Sequence, residues 1–265
     1  MKFEAVLLDL DGTILRPDQI ISDDVSAAIS NIRDRIPVCI LTGRELAEVL
    51  DYASILGLTS PQACDGGSTI VSASSKKVLW AVSLSNYEIC LILDELKTSR
   101  LSFFGTRPDG VNTNIDSGSY EKKSNWICSD WDEAKNYGYT RISAMNLSEQ
   151  VAEELEGRLS SNSSLNVTKA FLPYNGLWAV DFTHSNINKG TAAAKIAGFL
   201  GKNLGSFLAV GDSYNDKSML DCVGFSVAMG NAPDSMTASV DYIAPPVEED
   251  GLAKVINEVV IPNLD

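Results

Sequence analysis

Ala5-Val-Leu-Leu-Asp9-Leu-Asp11-Gly12-Thr13 decides how this chain folds. A short apolar run stops at two carboxylates one residue apart, and a Gly-Thr turn follows. An apolar run of this length, closed by a turn, predicts a strand buried on both faces of a parallel sheet. Open α/β sheets bind their ligands at the carboxyl edge of such strands, which is where the two acids fall. Alternation along the chain puts Asp9 and Asp11 on one side and returns Leu10 to the core. Two acids this close cannot both ionise cheaply unless a cation or donors lie between them, which is a demand for metal.

Outward from this stretch, Ser22-Asp23-Asp24 offers a helix start, and Val25, Ala28, Ile29 and Ile32 follow at helical spacing. Pro37 opens a second apolar strand, Val38 to Leu41, ending in Thr42-Gly43-Arg44, and an amphipathic helix carries Leu46, Val49, Leu50 and Ala53. A short strand near Gln62–Cys64 runs into the turn Asp65-Gly66-Gly67. Strands alternating with helices predict right-handed βαβ units.

From about Val78 this texture is interrupted. A helix over Asn86–Leu96, short strands near 101–104, 111–115 and 139–144, a Ser148-capped helix through Leu159, and strands near 165–171 and 178–183 predict an α+β unit around an antiparallel sheet. The four tryptophans, Trp80, Trp126, Trp131 and Trp178, fall in or beside it and read either as core packing or as substrate-facing groups. The parallel texture returns at Asn188-Lys189-Gly190, with a helix over 191–200 and the strand Phe207–Val210, which ends in Gly211-Asp212-Ser213-Tyr214-Asn215-Asp216. A strand at 224–229, a second at 240–243 and a helix over 251–260 complete the chain.

The reading is an α/β fold: a doubly wound, parallel-sheet, Rossmann-like core over 1–80 and 184–265, with an inserted α+β cap domain over 81–183. The 265 residues are 45% hydrophobic, enough to bury such a core. Lysines and arginines number 21 against 35 aspartates and glutamates, a net charge of −14 that argues against nucleic acid and anionic membranes. An anionic substrate is repelled at long range, so any anion site needs local cations. The chain opens without a basic-then-apolar leader and has no apolar run long enough to span a bilayer, so a cytoplasmic location is expected. Five cysteines without metal-type spacing read as buried reduced thiols, and the single histidine, His184, as a solvated or structural residue. The sequence carries no signature of an oligomeric state.

Three strand ends present polar groups: Asp9/Asp11, Thr42/Gly43 and Asp212/Asn215/Asp216, with Lys189 opening the helix before the last of these strands. In a doubly wound sheet such ends converge on one crevice. Hard oxygen ligands without histidine or cysteine select Mg²⁺, which keeps several waters and shares its shell with phosphate. The Thr42 hydroxyl, backbone N–H groups and the Lys189 ammonium suit phosphate oxygens. One carboxylate can attack phosphorus, and a second two residues on can protonate the leaving oxygen and later deprotonate water. Each fragment alone is ordinary turn or capping chemistry; their joint placement at strand ends is what carries a function.

Asp9-Leu-Asp11-Gly12-Thr13, Leu41-Thr42-Gly43-Arg44, Asn188-Lys189-Gly190 and Gly211-Asp212-Ser213-Tyr214-Asn215-Asp216 resemble the four motifs of the haloacid dehalogenase-like superfamily. The tail Ala228-Met-Gly-Asn231-Ala-Pro, with Val240-Asp-Tyr-Ile and Glu249-Asp250-Gly251, is similar to its Cof-like phosphatases. The resemblance implies that Asp9 is the nucleophile and a Mg²⁺ ligand. It implies that Asp11 is the general acid/base, lending a backbone carbonyl to the metal, and that Asp212 is the other carboxylate ligand. Thr42, Gly43, Lys189 and Asn215 would hold the phosphoryl group. Asp216 would orient phosphate, Lys189 or metal-bound water, with direct contact to the metal left open. Asp65 stands where relatives often carry asparagine, and an acid there could alter substrate choice. The implied function is a Mg²⁺-dependent phosphatase acting through an aspartyl-phosphate on a small phosphorylated metabolite, with sugar phosphates the leading class. The alternatives are a phosphomutase using the same phosphoaspartate, or a non-catalytic phosphometabolite-binding protein.

Overall fold

The computed structural model describes residues 2–115 and 125–264. Contacts divide the chain into a first unit of Met1–Leu79 with Asn188–Asp265 and a second unit of Trp80–Ile187.

The first unit opens with β1 (Ala5–Leu8), α1 (Asp23–Arg33), β2 (Val38–Ile40), α2 (Leu46–Ile55) and β3 (Pro61–Cys64), and continues through β4 (Thr69–Ser72) to the first half of β5 (Val78–Ala81). α1 begins where its sequence dictates: the Ser22 hydroxyl accepts from the Val25 N–H, and Val25, Ala28, Ile29 and Ile32 form its buried stripe. β3, β4 and β5 form a separate three-stranded sheet.

The second unit contains α3 (Asn86–Thr98), β6 (Phe104–Arg107), β7 (Gly110–Thr113), β8 (Trp126–Cys128), α4 (Trp131–Ala134), β9 (Arg141–Leu147), α5 (Glu149–Leu159), β10 (Leu165–Leu172) and β11 (Leu177–His184). Its six strands run in the order β10-β11-β9-β6-β7-β8, antiparallel except for the β7–β8 pair. Ile89 and Leu93 of α3 and Leu155 and Leu159 of α5 pack with Ile142, Ala144, Val180 and Phe182 of the sheet. Three of the tryptophans meet phenylalanines: Trp131 on Phe103, Trp126 on Phe104 and Trp178 on Phe171, at ring separations of 5.0–5.4 Å. The ion pair of Arg141 with Asp181 spans β9 and β11 at 3.3 Å, and the Ser143 hydroxyl donates to the other oxygen of Asp181 at 2.5 Å.

The return to the first unit supplies α6 (Lys189–Leu200), β12 (Phe207–Gly211), α7 (Lys217–Leu220), β13 (Phe225–Ala228), α8 (Asp234–Thr237), β14 (Tyr242–Ile243) and α9 (Gly251–Val255). The main sheet is parallel, in the order β14-β13-β12-β1-β2. Both faces of β1 are fully buried. Val6 and Leu8 join the cluster of Ile29 and Ile32 of α1 with Leu252 and Ile256 at the end of the chain. An apolar run covered on both sides is the doubly wound arrangement.

Three expectations are corrected. The strands expected near 101–104, 111–115 and 139–144 lie at 104–107, 110–113 and 141–147. The reason for the first shift is the two-residue turn Pro108-Asp109, which pairs Arg107 with Gly110. The last helix stops at Val255 and passes through a wider turn at Ile256–Val260, ahead of Pro262. Of the cysteines, all free, Cys39 and Cys64 are buried whereas Cys128 is exposed.

Candidate active site

Parallel register carries the polar strand ends to one place. Leu8 lies opposite Val210 of β12 on one side and Ile40 of β2 on the other. The Asp9 N–H continues the ladder by donating to the Val210 carbonyl at 3.0 Å, and the Leu41 N–H donates to Leu8. Asp9, Thr42 and Asp212 therefore leave the carboxyl edges of three adjacent strands, where the strand order reverses direction.

Lys189 is the centre of the cluster. It is the first residue of α6, whose start is fixed by Asn188, its side chain accepting from the Thr191 N–H while the Thr191 hydroxyl accepts from the Asn188 N–H. Its ammonium is 2% exposed and donates to Asp9 Oδ1 at 2.5 Å and to Asp216 Oδ1 at 2.6 Å. The other oxygen of Asp216 accepts from the backbone N–H groups of Asp212 and Ser213, both at 3.0 Å. Oxygens of Asp9, Asp212 and Asp216 all lie within 4.8 Å of one another. Gly12 makes this closeness possible: it sits at φ +78°, and a Cβ there would stand 2.0 Å from Asp212 Oδ2.

Three clustered acids, Asp9 and Asp216 buried and Asp212 half-buried, share one ammonium, a formal excess of two negative charges inside the cluster. The consequence is a strong electrostatic strain on protonation. Burial, and next the Asp216 charge, push the Asp9 carboxyl up to about 7 despite Lys189. Burial and then Asp9 raise Asp212 well above the usual carboxylate range. Burial would lower Lys189, but Asp216 and Asp9 outweigh it and hold it firmly protonated. An all-oxygen donor set with this excess of charge fits a hard divalent cation, and neither histidine nor cysteine belongs to the set.

The remaining residues named from the sequence fall as follows. Asp11 is held by Arg44, whose Nη2 donates to Oδ1 at 2.6 Å and whose Nε donates to Oδ2 at 2.9 Å. Buried Thr42 accepts at its hydroxyl from the Arg44 N–H at 3.2 Å, with Gly43 between them. Asn215 Oδ1 accepts from the Ser213 hydroxyl at 2.6 Å. Asp65 is fully buried at φ +54°, and its Oδ2 accepts from the Thr69 hydroxyl at 3.1 Å, so it is a group of its own turn rather than an open acid. His184 Nδ1 accepts from the Asn186 N–H at 3.3 Å, a structural contact.

A family model described as haloacid dehalogenase-like hydrolase matches residues 6–256. The chain belongs to this family. Among curated proteins it is similar to the 5-amino-6-(5-phospho-D-ribitylamino)uracil phosphatase YcsE of Bacillus subtilis, 29% identical over 97% of this chain and 95% of that one. It is also similar to the pyridoxal phosphate phosphatase of Escherichia coli, 24% identical over 97% of this chain and 98% of the relative. Its fold matches a solved haloacid dehalogenase-like hydrolase from B. subtilis with a TM-score of 0.83 at 21% identity, covering 97% of this chain and 100% of the other.

Two side chains of this haloacid dehalogenase-like hydrolase were not given roles by sequence reading. Arg44 is held on four sides, by Asp11, by Gln19 Oε1, by Glu48 Oε1 at 3.7 Å and over the Tyr52 ring at 5.5 Å. The spacing of Arg44 and Glu48 is the only sequence signal for that network. Asn231 reaches Gly12, 219 residues away, and Asp212, 19 residues away, and no local pattern foretells it.

Proposed function

We propose that this hydrolase is a Mg²⁺-dependent phosphatase of small phosphorylated metabolites, sugar phosphates being the leading class, and that it works in the cytoplasm. The observation that carries the proposal is the close set of three acids, Asp9, Asp212 and Asp216, beside one buried lysine. The charge excess matches a divalent cation, and the phosphatase names of relatives that align along nearly the whole chain support the reaction class.

Asp9, Asp212 and the Asp11 carbonyl would hold Mg²⁺. When bound, the ion neutralises the acids and polarises a phosphoryl oxygen. Lys189 occupies Asp9 Oδ1, so Oδ2 is the oxygen that attacks phosphorus and forms the aspartyl-phosphate. Thr42 and the backbone at Gly43 receive the phosphoryl oxygens, together with Lys189 and the Asn215 amide. Asp216, with both oxygens engaged, places Lys189 and the 212–213 backbone rather than ligating metal itself. Asp11 gives its proton to the leaving oxygen and then takes one from the water that opens the aspartyl-phosphate. To do so it must release at least one arm of Arg44, which engages both its oxygens here.

The test is phosphate release from a panel of phosphorylated metabolites, with and without Mg²⁺, for wild type and Asp9→Asn. Release is expected only with metal and is expected to fall at least about a thousandfold in Asp9→Asn. Appreciable turnover by the pure variant would remove Asp9 as nucleophile. Isomer formation from a hexose 1-phosphate without free phosphate would instead identify a mutase.

A further inference from the structure

Asn231 links three separate parts of the first unit through one amide. Its Nδ2 donates to Asp212 Oδ2 at 2.9 Å and to the Gly12 carbonyl at 3.0 Å. Its Oδ1 accepts from the Val247 N–H at 3.0 Å. With Oδ1 pinned to a backbone donor, the amide cannot flip, and its nitrogen must face the acid. The Asp212 carboxylate, held at Oδ2, cannot turn about its own axis without losing that bond. The same Oδ2 lies where a side chain at position 12 would stand, so the acid, the loop after β1 and the amide form one close-packed group.

We infer that Asn231 is a positioning residue for the metal site: it sets the rotation of the Asp212 carboxylate and ties it to the loop carrying Asp9 and Asp11. The inference rests on the proposed assignment of Asp212 as a metal ligand. Carboxylate ligands oriented by an outer hydrogen bond lose roughly 10–100-fold in metal affinity when that partner is removed. Asn231 is itself exposed, so its truncation removes little packing and the variant is expected to fold. In chemical terms the amide is well suited to the task. It donates to a carboxylate without carrying a charge that would repel the cation, which a lysine or arginine at the same place would do.

The experiment measures Mg²⁺ binding calorimetrically, and the Mg²⁺-induced rise in unfolding temperature, for wild type, Asn231→Ala and Asp212→Asn. Asn231→Ala is expected to bind Mg²⁺ about 10–100-fold more weakly. It should lose the thermal rise at metal concentrations that saturate wild type, and raising Mg²⁺ should restore the rise and most of the turnover. A merely structural role would lower the unfolding temperature equally with and without metal and leave the affinity alone. Affinity within twofold of wild type, with Asp212→Asn binding poorly, would overturn the inference while sparing the metal assignment. Wild-type affinity in Asp212→Asn would overturn the assignment itself. Should the alanine variant fail to fold, Asn231→Ser keeps a polar group in the turn. Its hydroxyl sits one bond closer to the backbone than the amide nitrogen, and the same loss of affinity is expected.

Discussion

Two clusters of buried charge sit in two different sheets, and they are built on opposite principles. In the second unit Arg141 pairs with Asp181, which also takes the Ser143 hydroxyl, so within that pair acid and base meet one to one. At the carboxyl edge of β12-β1-β2, Lys189 meets Asp9 and Asp216 with Asp212 close by, and the charges do not cancel. A balanced buried pair is at rest and its business is architecture. An unbalanced one is kept in strain by the fold and is relieved only by something from outside.

The largest effect expected of this contrast is at Lys189. Lys189→Met leaves two buried acids facing each other and should cost about 3–5 kcal/mol in metal-free urea unfolding at pH 8, besides abolishing turnover. A loss near zero would mean that the lysine does not hold the cluster together. Next comes pH. Folded Asp9 titrates at about 7, well above its ordinary value of 3.8, so between those values the folded chain keeps a proton that the unfolded chain has lost. Metal-free stability should therefore fall as pH rises from 5 to 7.5, by several degrees in unfolding temperature, while Mg²⁺ binding strengthens over the same range. Glu4, Asp241 and Asp250, whose pKa values are lowered, contribute stability that is already complete above pH 5 and do not mask the slope. Asp212, also raised mainly by burial, adds to the same slope, so Asp9→Asn should make it shallower, and an unchanged slope there would move the strain to another group.

The balanced cluster responds differently. Asp181→Ala alone should destabilise by about 3 kcal/mol because it breaks the pair while Arg141 stays buried, whereas Arg141→Met with Asp181→Leu should return to within about 1 kcal/mol of wild type. Equal losses in the single and double variants would show that the pair is worth its charge after all. Smallest is Lys217→Ala, which opens an exposed pair with Asp221 on α7 and should stay within about 0.5 kcal/mol.

The same contrast explains what could be read from residues alone. β1, β2 and β12 are buried on both faces, so each is a plain apolar run whose polar terminus stands out, and the gathering of Asp9, Thr42 and Asp212 at one sheet edge was legible there. The fold class followed from the alternation of these runs with capped helices such as α1. The short β8 and the four-residue α4 were not read, because three or four residues give no period to count. The Arg44 fork on Asp11 and the Asn231 bridge escaped for another reason. The fork joins residues 33 apart and the bridge ties Asn231 to Gly12, 219 positions away, contacts that only tertiary register decides.

That register has a consequence for the birth of the molecule. β1 is flanked on one side by β2, made at once, and on the other by β12, whose Phe207 pairs with Ala5 only after the whole second unit has been synthesised. At ribosomal speeds of roughly 5–20 residues per second, the nascent chain carries an open apolar strand edge for some tens of seconds. Asp9 is made well before Lys189, Asp212 and Asp216, so a chain terminated within the second unit would carry one acid of the cluster without the lysine and acids that surround it.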